Sequence, residues 1–408
     1  MSEQPQMDDT PAQFPFPDGP LAGPPPEFAR RREVCPLSEV TLPTGDRAML
    51  ALRHADIQQI MSDDKRFTRD FSAPDAPRLF DNMLLLEDPS LLINVHGEDH
   101  IRLRRITASA FTPRRAEEWR PEIRRIIEEL LDKVEQAGAP ANLMDFASEL
   151  PMRLICQMLA IPVEDGEQLR KWVAAWLSFA MPREELDQAA LEFDNYALAL
   201  ANRRRANPGD SLIDDLIKAR DVDDRLSEGE LVSAIRSLII GGNETIASSL
   251  SRIVFSLLRD RDSWEALKAD RSLLPVAVEE LLRHNPPGGG GSGLMRLATE
   301  DVELVSGAGT IRKGQAVFTP LVAAGYDAEA FPEPERIRFD RPKSPGTMQF
   351  GAGRHYCQGA HLARVELEEC LTALLDRFPN LHFATAPEDL AWSEGSYGIG
   401  LPELPVAW

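Results

Sequence analysis

Cysteine is scarce in this chain of 408 residues, which carries only Cys35, Cys156, Cys357 and Cys370. Four scattered thiols exclude a disulfide framework and fit a reducing compartment. Positive charge is also short. There are 45 Lys and Arg against 66 Asp and Glu, a net charge of −21, which excludes nucleic acid and anionic membrane as partners because both need a basic surface. No run of about 18 apolar residues is present, so no membrane span is expected. The opening stretch MSEQPQMDDTPAQFPFPDGPLAGPPP has neither the basic start nor the apolar core of a signal peptide, and a cytoplasmic protein is expected. Internal repeats are absent, and no low-complexity linker follows residue 30.

What is present is ordinary for a globular protein, 43% hydrophobic and 27% charged, in a chain long enough to bury a substantial core. Residues 1–26 are expected to form a flexible, proline-rich lead-in. EVTLPTGDRAMLALRH (39–54) predicts a hairpin about a Thr-Gly-Asp turn. Helical patterns dominate from 98 to 285, including an apolar row at Ile123, Ile126, Ile127, Leu130 and Leu131. Short strand-like runs follow, at DVELV, GTIR, AVFTP, LHFA and LPVAW. The breaker-rich NPPGGGGSG (285–293) is flanked by structure on both sides and is taken as an internal loop. The fold class is mainly α with a smaller β part.

One helix stands out. A capping box, Ser227 to Glu230, opens a pattern that runs to Arg259 and is apolar around most of its circumference, as a buried central helix would be. In its middle sits GGNET: Gly241, Gly242, Asn243, Glu244 and Thr245. Each glycine costs about 1 kcal/mol relative to alanine in a helix, and a buried acid is expensive without partners. Such a violation in a core element often marks a site. The glycines would let a flat, bulky group approach the backbone, and the threonine can bond back to a carbonyl. A kinked helix with a satisfied buried acid is the plainer alternative.

FGAGRHYCQGAHLAR (350–364) places Cys357 among three glycines. It is open to three readings: a buried structural cysteine, a metal site of His355, Cys357 and His361, or a thiolate under a flat ligand. The apolar row Ala360, Ala363, Leu367, Cys370, Leu371 and Leu374 predicts a helix starting just after Cys357, where free N–H groups and the helix dipole favour a thiolate. Gly351, Gly353 and Gly359 are expected to clear a broad flat space beside the sulfur. Zinc needs no such space and wants four ligands where three are offered. A flat macrocycle such as haem fits.

With these residues assembled, the chain resembles the cytochrome P450 family. FGxGxHxCxG at 350–359 agrees with the family's haem-ligand signature, with Phe350, Gly351, His355, Cys357 and Gly359 in its fixed positions. GGNET resembles the family's central-helix element, and Glu280 and Arg283 its ExxR element. The PERI stretch with Arg336 is similar to its later loop element, and His100 with Arg104 to the HxxxR element of soluble bacterial members. The resemblance runs from about residue 30 to the end and implies a single domain over 27–408, with haem b (iron protoporphyrin IX) between the long helix and the Cys357 loop.

By that resemblance Cys357 is the proximal iron ligand, whose thiolate favours O–O cleavage. Glu244 and Thr245 relay protons to dioxygen, and Gly241 and Gly242 lie over the porphyrin. His100, Arg104, Arg296 and His355 bind the two propionates. Glu280, Arg283 and Arg336 form a structural triad, which raises Glu280–Arg283 above an ordinary i, i+3 surface pair. His361 and Cys370 are left as ordinary helix residues. Arg102, Arg105, Arg114, Arg115 and Arg354 gather positive charge near the thiolate, where a separate ferredoxin, fed by its reductase, could dock; the alternative is that some of them pair with neighbouring carboxylates.

The substrate pocket is expected at Met83, Leu86, Trp176, Phe179, Leu238, Tyr397 and the glycines Gly288, Gly289 and Gly290, which should widen it. The resemblance, together with this lining, implies O2-dependent hydroxylation or epoxidation of a bulky, mostly apolar or aromatic small molecule of bacterial secondary metabolism. Oxidative C–C or C–N coupling without oxygen transfer on an aromatic or cyclic-peptide substrate is the alternative. A non-catalytic haem-thiolate ligand-binding protein is a reading from a different class.

Overall fold

The computed structural model describes residues 11–223, 225–288, 291–342 and 345–408. At its centre lies the helix Glu228–Arg259, about 48 Å long at 1.5 Å per residue. The expected capping box opens it: the Ser227 hydroxyl accepts from the Glu230 amide at 3.2 Å, and the Glu230 carboxylate accepts from the Ser227 amide at 2.7 Å. Helices Glu149–Met158, Gly166–Leu177 and Arg183–Ala206 pack against it. Leu231, Ile235, Ile239, Leu250, Ile253 and Leu257 are fully buried along its length. At about 2 kcal/mol for each such side chain, these contacts outweigh the helix cost of Gly241 and Gly242.

Helix Pro113–Ala137 turns its predicted apolar row inward and packs on helix Ala360–Arg377, where Ala360, Ala363, Leu367, Cys370, Leu371 and Leu374 are all buried. Among the described residues no helix is long and apolar enough to cross a membrane.

The expected hairpin pairs Leu37–Thr41 with Arg47–Ala51, with Gly45 at φ +89° in the turn. It belongs to a six-stranded sheet in the order Ala12–Gln13, Leu37–Thr41, Arg47–Ala51, Ala316–Pro320, Gly293–Ala298, Phe67–Thr68. The other strand-like runs also pair, Val302–Glu303 with Thr310–Ile311 and His382–Phe383 with Pro405–Ala407.

The flexible lead-in is corrected in part. Residues 1–10 lie outside the described residues, but Ala12–Gln13 pairs in parallel with Leu37–Thr41. Phe14 and Phe16 are buried, the Phe14 ring 4.9 Å from Phe318. Proline content suggested a solvated chain; two phenylalanines within it supply the apolar area that docks it.

Candidate active site

A cavity of about 420 Å³ separates the central helix from the Cys357 loop. Gly241, Glu244 and Thr245 line one side, and Phe350, Gly351, His355, Cys357 and Gly359 the other. The Cys357 amide donates to the Phe350 carbonyl at 2.8 Å, closing the loop, and Gly359 caps the helix Ala360–Arg377. Cys357 is exposed, and its surface lies on the cavity wall. Surrounding protein pushes its thiol pKa up, while the Gly359 amide and the guanidiniums of Arg104 and Arg364 pull it down. Arg364 is held by an ion pair with Glu279, a 3.2 Å bond to the Tyr356 hydroxyl and the face of Phe350 at 4.5 Å.

The glycines act differently from one another. Gly351 and Gly353 have φ of +72° and +67°, and a Cβ on Gly353 would stand 2.7 Å from the Met61 carbonyl oxygen. They turn the loop back on the Met61–Ser62 segment and do not clear the cavity. Space beside the sulfur comes from Gly359 and, across the cavity, from Gly241, around which a Cβ would meet nothing within 4 Å. Gly242 also lines the cavity, and a Cβ on it would stand 3.4 Å from Cδ1 of Ile155 on the neighbouring helix. His361 is exposed on the helix surface. Among the described residues no three His, Cys, Asp or Glu side chains converge to hold a metal ion, so the zinc reading has no ligand set.

At one edge of the site the structure gathers basic side chains that have no carboxylate partner among the described residues. His100 and His355 stack at 4.1 Å, and Arg104 donates to the Tyr356 carbonyl. Arg296 is buried with Nη2 unpaired. Sequence reasoning missed Arg69, which is buried here too, with Nε and Nη1 unpaired. Burial first, and the neighbouring positive groups next, push His100 down to about 4 and His355 much further. Burial pushes Arg69 down to about 10, and burial together with Arg69 lowers Arg296 well below its usual value. Unpaired buried cations are costly. Two carboxylates on a flat ligand reaching from the Cys357 cavity would supply the missing charge, so these residues fit a haem.

On the opposite wall, burial raises Glu244 to about 7, and the Thr245 hydroxyl donates to the Gly241 carbonyl at 3.0 Å, one turn back as expected. A second acid was not foreseen. Glu366 on the helix after Cys357 lines the cavity, is buried with one carboxylate oxygen unpaired, and is raised by burial to about 8. Its position one turn before the apolar Cys370 was the available signal, since an acid inside that row breaks it.

The triad forms with one member exchanged. Arg283 donates to both Glu280 oxygens, at 2.7 and 2.8 Å, in full burial. The third side chain is Arg341, whose Nε donates to Glu280 at 2.9 Å. Arg336 pairs with Glu333 at the surface and offers only its carbonyl, to Arg341 at 2.9 Å and Arg283 at 3.3 Å. In PERIRFDRP three arginines fall within six residues, and the spacing does not say which guanidinium turns inward.

The pocket expectation needs more correction. Leu238 and Tyr397 line the cavity. Met83 and Leu86 pack into the neighbouring core, Trp176 lies under Arg236 at 4.6 Å, and Phe179 stacks on Phe80 at 4.2 Å. Gly288 does not widen the site: at φ +98°, its Cβ would stand 2.5 Å from the Tyr397 carbonyl oxygen. Gly289 and Gly290 lie outside the described residues. The wall is made instead by Leu85, Leu91, Leu92, Ile93, Ser237 and Leu294. Large aromatics were the obvious candidates by size, and packing used them as core.

Of the five arginines expected to form a basic patch, four are paired: Arg102 with Asp99 and Glu230, Arg114 and Arg115 with Glu118, and Arg354 with Asp64. Arg105 is exposed.

The chain is similar to known proteins along nearly its whole length. Residues 169–406 match the family model described as Cytochrome P450. The chain is 40% identical over 399 residues to the nocardicin C N-oxygenase of Nocardia uniformis subsp. tsuyamanensis, covering 97% of this chain and 98% of that one. It is 38% identical over 404 residues to the mycinamicin IV hydroxylase/epoxidase of Micromonospora griseorubida, covering 98% and 99%. A crystal structure of a cytochrome P450 with biaryl coupling reactivity superposes with a TM-score of 0.91 at 33% identity, over 98% of this chain and 100% of the other. With the family model matched over more than half of the chain and relatives this similar along their whole length, the chain belongs to the cytochrome P450 family.

Proposed function

We propose that the protein is a monooxygenase of bacterial secondary metabolism that hydroxylates or epoxidises a bulky, mostly apolar or aromatic molecule. The observation that carries the reading is the thiol of Cys357 facing Glu244 and Thr245 across one cavity. Haem b, once bound, supplies dioxygen activation at a thiolate-ligated iron. The chain's own residues do the rest. Burial holds the Cys357 thiol above its ordinary pKa, and the Gly359 amide, Arg104 and Arg364 work against this, toward the thiolate that a bound iron would need. Arg69, His100, Arg104, Arg296 and His355 would hold the carboxylates. Glu244, raised to about 7, can hold or release a proton near neutral pH, which suits a proton-transfer group, and Thr245 presents its hydroxyl oxygen on the same wall. The apolar lining from Leu85, Leu91, Leu92, Ile93 and Leu294 favours an apolar substrate.

Electrons would come from a separate ferredoxin and its reductase in the cytoplasm. With four of the five expected arginines paired, any docking would use Arg105 and arginines that exchange partners. Oxidative coupling is the second reading, favoured by the similarity to the P450 with biaryl coupling reactivity. A non-catalytic haem protein would have no use for Glu244 and Thr245.

The first test is a carbon monoxide difference spectrum of the purified, reduced protein. A red-shifted band typical of thiolate ligation is expected, and its loss in Cys357→Ser; folded protein without that band would overturn the assignment. Nocardicin C and mycinamicin IV, named for the relatives, are first candidates for a substrate-induced spectral shift. Turnover under isotopically labelled dioxygen then separates the reactions: label in the product is expected, and a coupled product without label favours the second reading.

A further inference from the structure

Arg69 lies outside every motif that marks this family in the sequence. Strand Phe67–Thr68 pairs antiparallel with Gly293–Ala298, Phe67 opposite Ala298 and Thr68 opposite Leu297. The next step of that register sets Arg69 beside Arg296. Two guanidiniums are thereby brought together inside the protein, 6% and 2% exposed. Neither has a carboxylate partner in the described residues. Arg296 spends Nη1 on the Met295 carbonyl at 3.1 Å and leaves Nη2 unpaired; Arg69 leaves Nε and Nη1 unpaired. His355 and Tyr397 line the cavity and feel both guanidiniums, and the Tyr397 hydroxyl is already committed to the Gly293 carbonyl. Like charges are not buried side by side without an anion between or beside them.

The remaining donor of Arg69 has a different use. Its Nη2 donates to Asn94 Oδ1 at 3.1 Å. That contact fixes which way the Asn94 amide faces, and Asn94 Nδ2 then donates to the carbonyls of Leu85 and Asp88, both at 2.8 Å. Asn94 is therefore the hub of the segment 84–95, from which Leu85, Leu91, Leu92 and Ile93 enter the cavity wall.

We infer that Arg69 is a positioning residue that grips a haem carboxylate with its free donors and, through Asn94, holds the 84–95 segment in place over the substrate cavity. A planar five-donor fork can reach both partners in fixed directions at once, where a lysine offers a single compact point charge. Loading of haem and ordering of the substrate wall are then coupled through one side chain. The inference rests on the haem reading above.

The test uses the holoprotein, with wild type required first to show the thiolate-type carbon monoxide spectrum; failure at that step overturns the haem reading and the carboxylate grip with it, whereas the variants below test Arg69 alone. Three quantities are then measured: haem transfer to excess apomyoglobin, the reduction potential, and amide hydrogen exchange in 84–95 with helix Pro113–Ala137 as control. In Arg69→Gln, loss of a charge-assisted bond should speed haem transfer about tenfold, equivalent to about 1.4 kcal/mol. The potential should move negative, because a positive charge favouring the reduced form is gone, and exchange should rise in 84–95 but not in the control helix. Arg69→Lys should restore the potential while leaving 84–95 loose. Asn94→Ala should loosen 84–95 with haem transfer unchanged. Wild-type haem transfer and potential in Arg69→Gln would remove Arg69 from the carboxylate site. Faster haem loss with unchanged exchange in 84–95, or exchange raised equally in the control helix, would remove the coupling. Should Arg69→Gln fail to fold, Arg69→Lys and Asn94→Ala decide on the same readouts.

Discussion

Arg336 and Arg341 sit five residues apart in one loop, and separate replacement of each decides which guanidinium completes the buried triad. Glu280 Oε1 accepts from Arg283 at 2.8 Å, Arg341 at 2.9 Å and the Arg338 amide at 3.0 Å. The Arg341 side chain is 9% exposed and also donates to the carbonyls of Pro332, Glu333 and Arg336, at 2.6, 2.8 and 2.9 Å. Arg341→Ala therefore leaves a buried carboxylate short of one cation and three carbonyls short of a donor. A hydrogen bond to a charged group contributes about 1.5–3 kcal/mol, and breaking a buried ion pair costs about 3–5 kcal/mol. Because Arg283 still neutralises Glu280, the lower end applies, about 3 kcal/mol. Arg336 is 70% exposed and its partner Glu333 53%, so Arg336→Ala should cost about 0–1 kcal/mol. The carbonyl that Arg336 contributes survives that change.

Urea unfolding of the holoprotein, followed by circular dichroism and by loss of the haem band, should show a lowered midpoint for Arg341→Ala and an almost unchanged one for Arg336→Ala. The acid dependence has a defined sign. Burial works to raise the Glu280 pKa, but bonds from Arg283 and Arg341 outweigh it and hold it below the usual carboxylate range. The stability this contributes is present above the ordinary glutamate pKa and is lost as pH falls through the folded-state value. The penalty of Arg341→Ala should accordingly shrink in acid. It should also shrink in a Glu280→Gln background, which removes the charge that Arg341 neutralises. An Arg336→Ala midpoint as low as that of Arg341→Ala would refute the assignment of Arg341.

Thr245→Ala should retain haem and substrate binding yet divert reducing equivalents to hydrogen peroxide; an unchanged ratio of product to electrons consumed would take the hydroxyl out of proton delivery. Glu244, raised to about 7, is a proton donor only while protonated, so that ratio should fall as pH rises through 7 and become independent of pH there in Glu244→Gln. A profile of the same shape in that variant would assign the titration to another group. Glu366, raised by burial to about 8, ionises near its ordinary value in the unfolded chain but not in the folded one, so stability should decline as pH rises from about 4.5 to 8, by about 5 kcal/mol at most. Glu366→Gln should flatten that decline in urea unfolding, and an undiminished slope would show that the carboxyl is solvated or paired in solution.

Sequence alone revealed the parts of this protein in which one local rule decides the outcome. The central helix was legible from its capping box and apolar girth, and GGNET stood out because it breaks helix rules inside a core element. Cys357 stood out because glycines surround it, although two of them, Gly351 and Gly353, serve the turn onto Met61 and Ser62. What stayed hidden depends on register between distant segments. Arg69 becomes a site residue only when Phe67–Thr68 pairs beside Arg296, 227 positions further along. Arg341 displaces Arg336 because the loop turns its fifth residue inward, which the spacing of the arginines does not encode. The substrate wall was least legible, since Trp176 and Phe179 could fill either a pocket or a core, and their partners Arg236 and Phe80 lie on other elements. Those same contacts explain why the wall is built from Leu85, Leu91, Leu92 and Ile93: with the large aromatics committed to packing, the short segment 84–95, held at Asn94, is what remains to face the substrate, so changes in specificity should be sought there before the aromatics are altered.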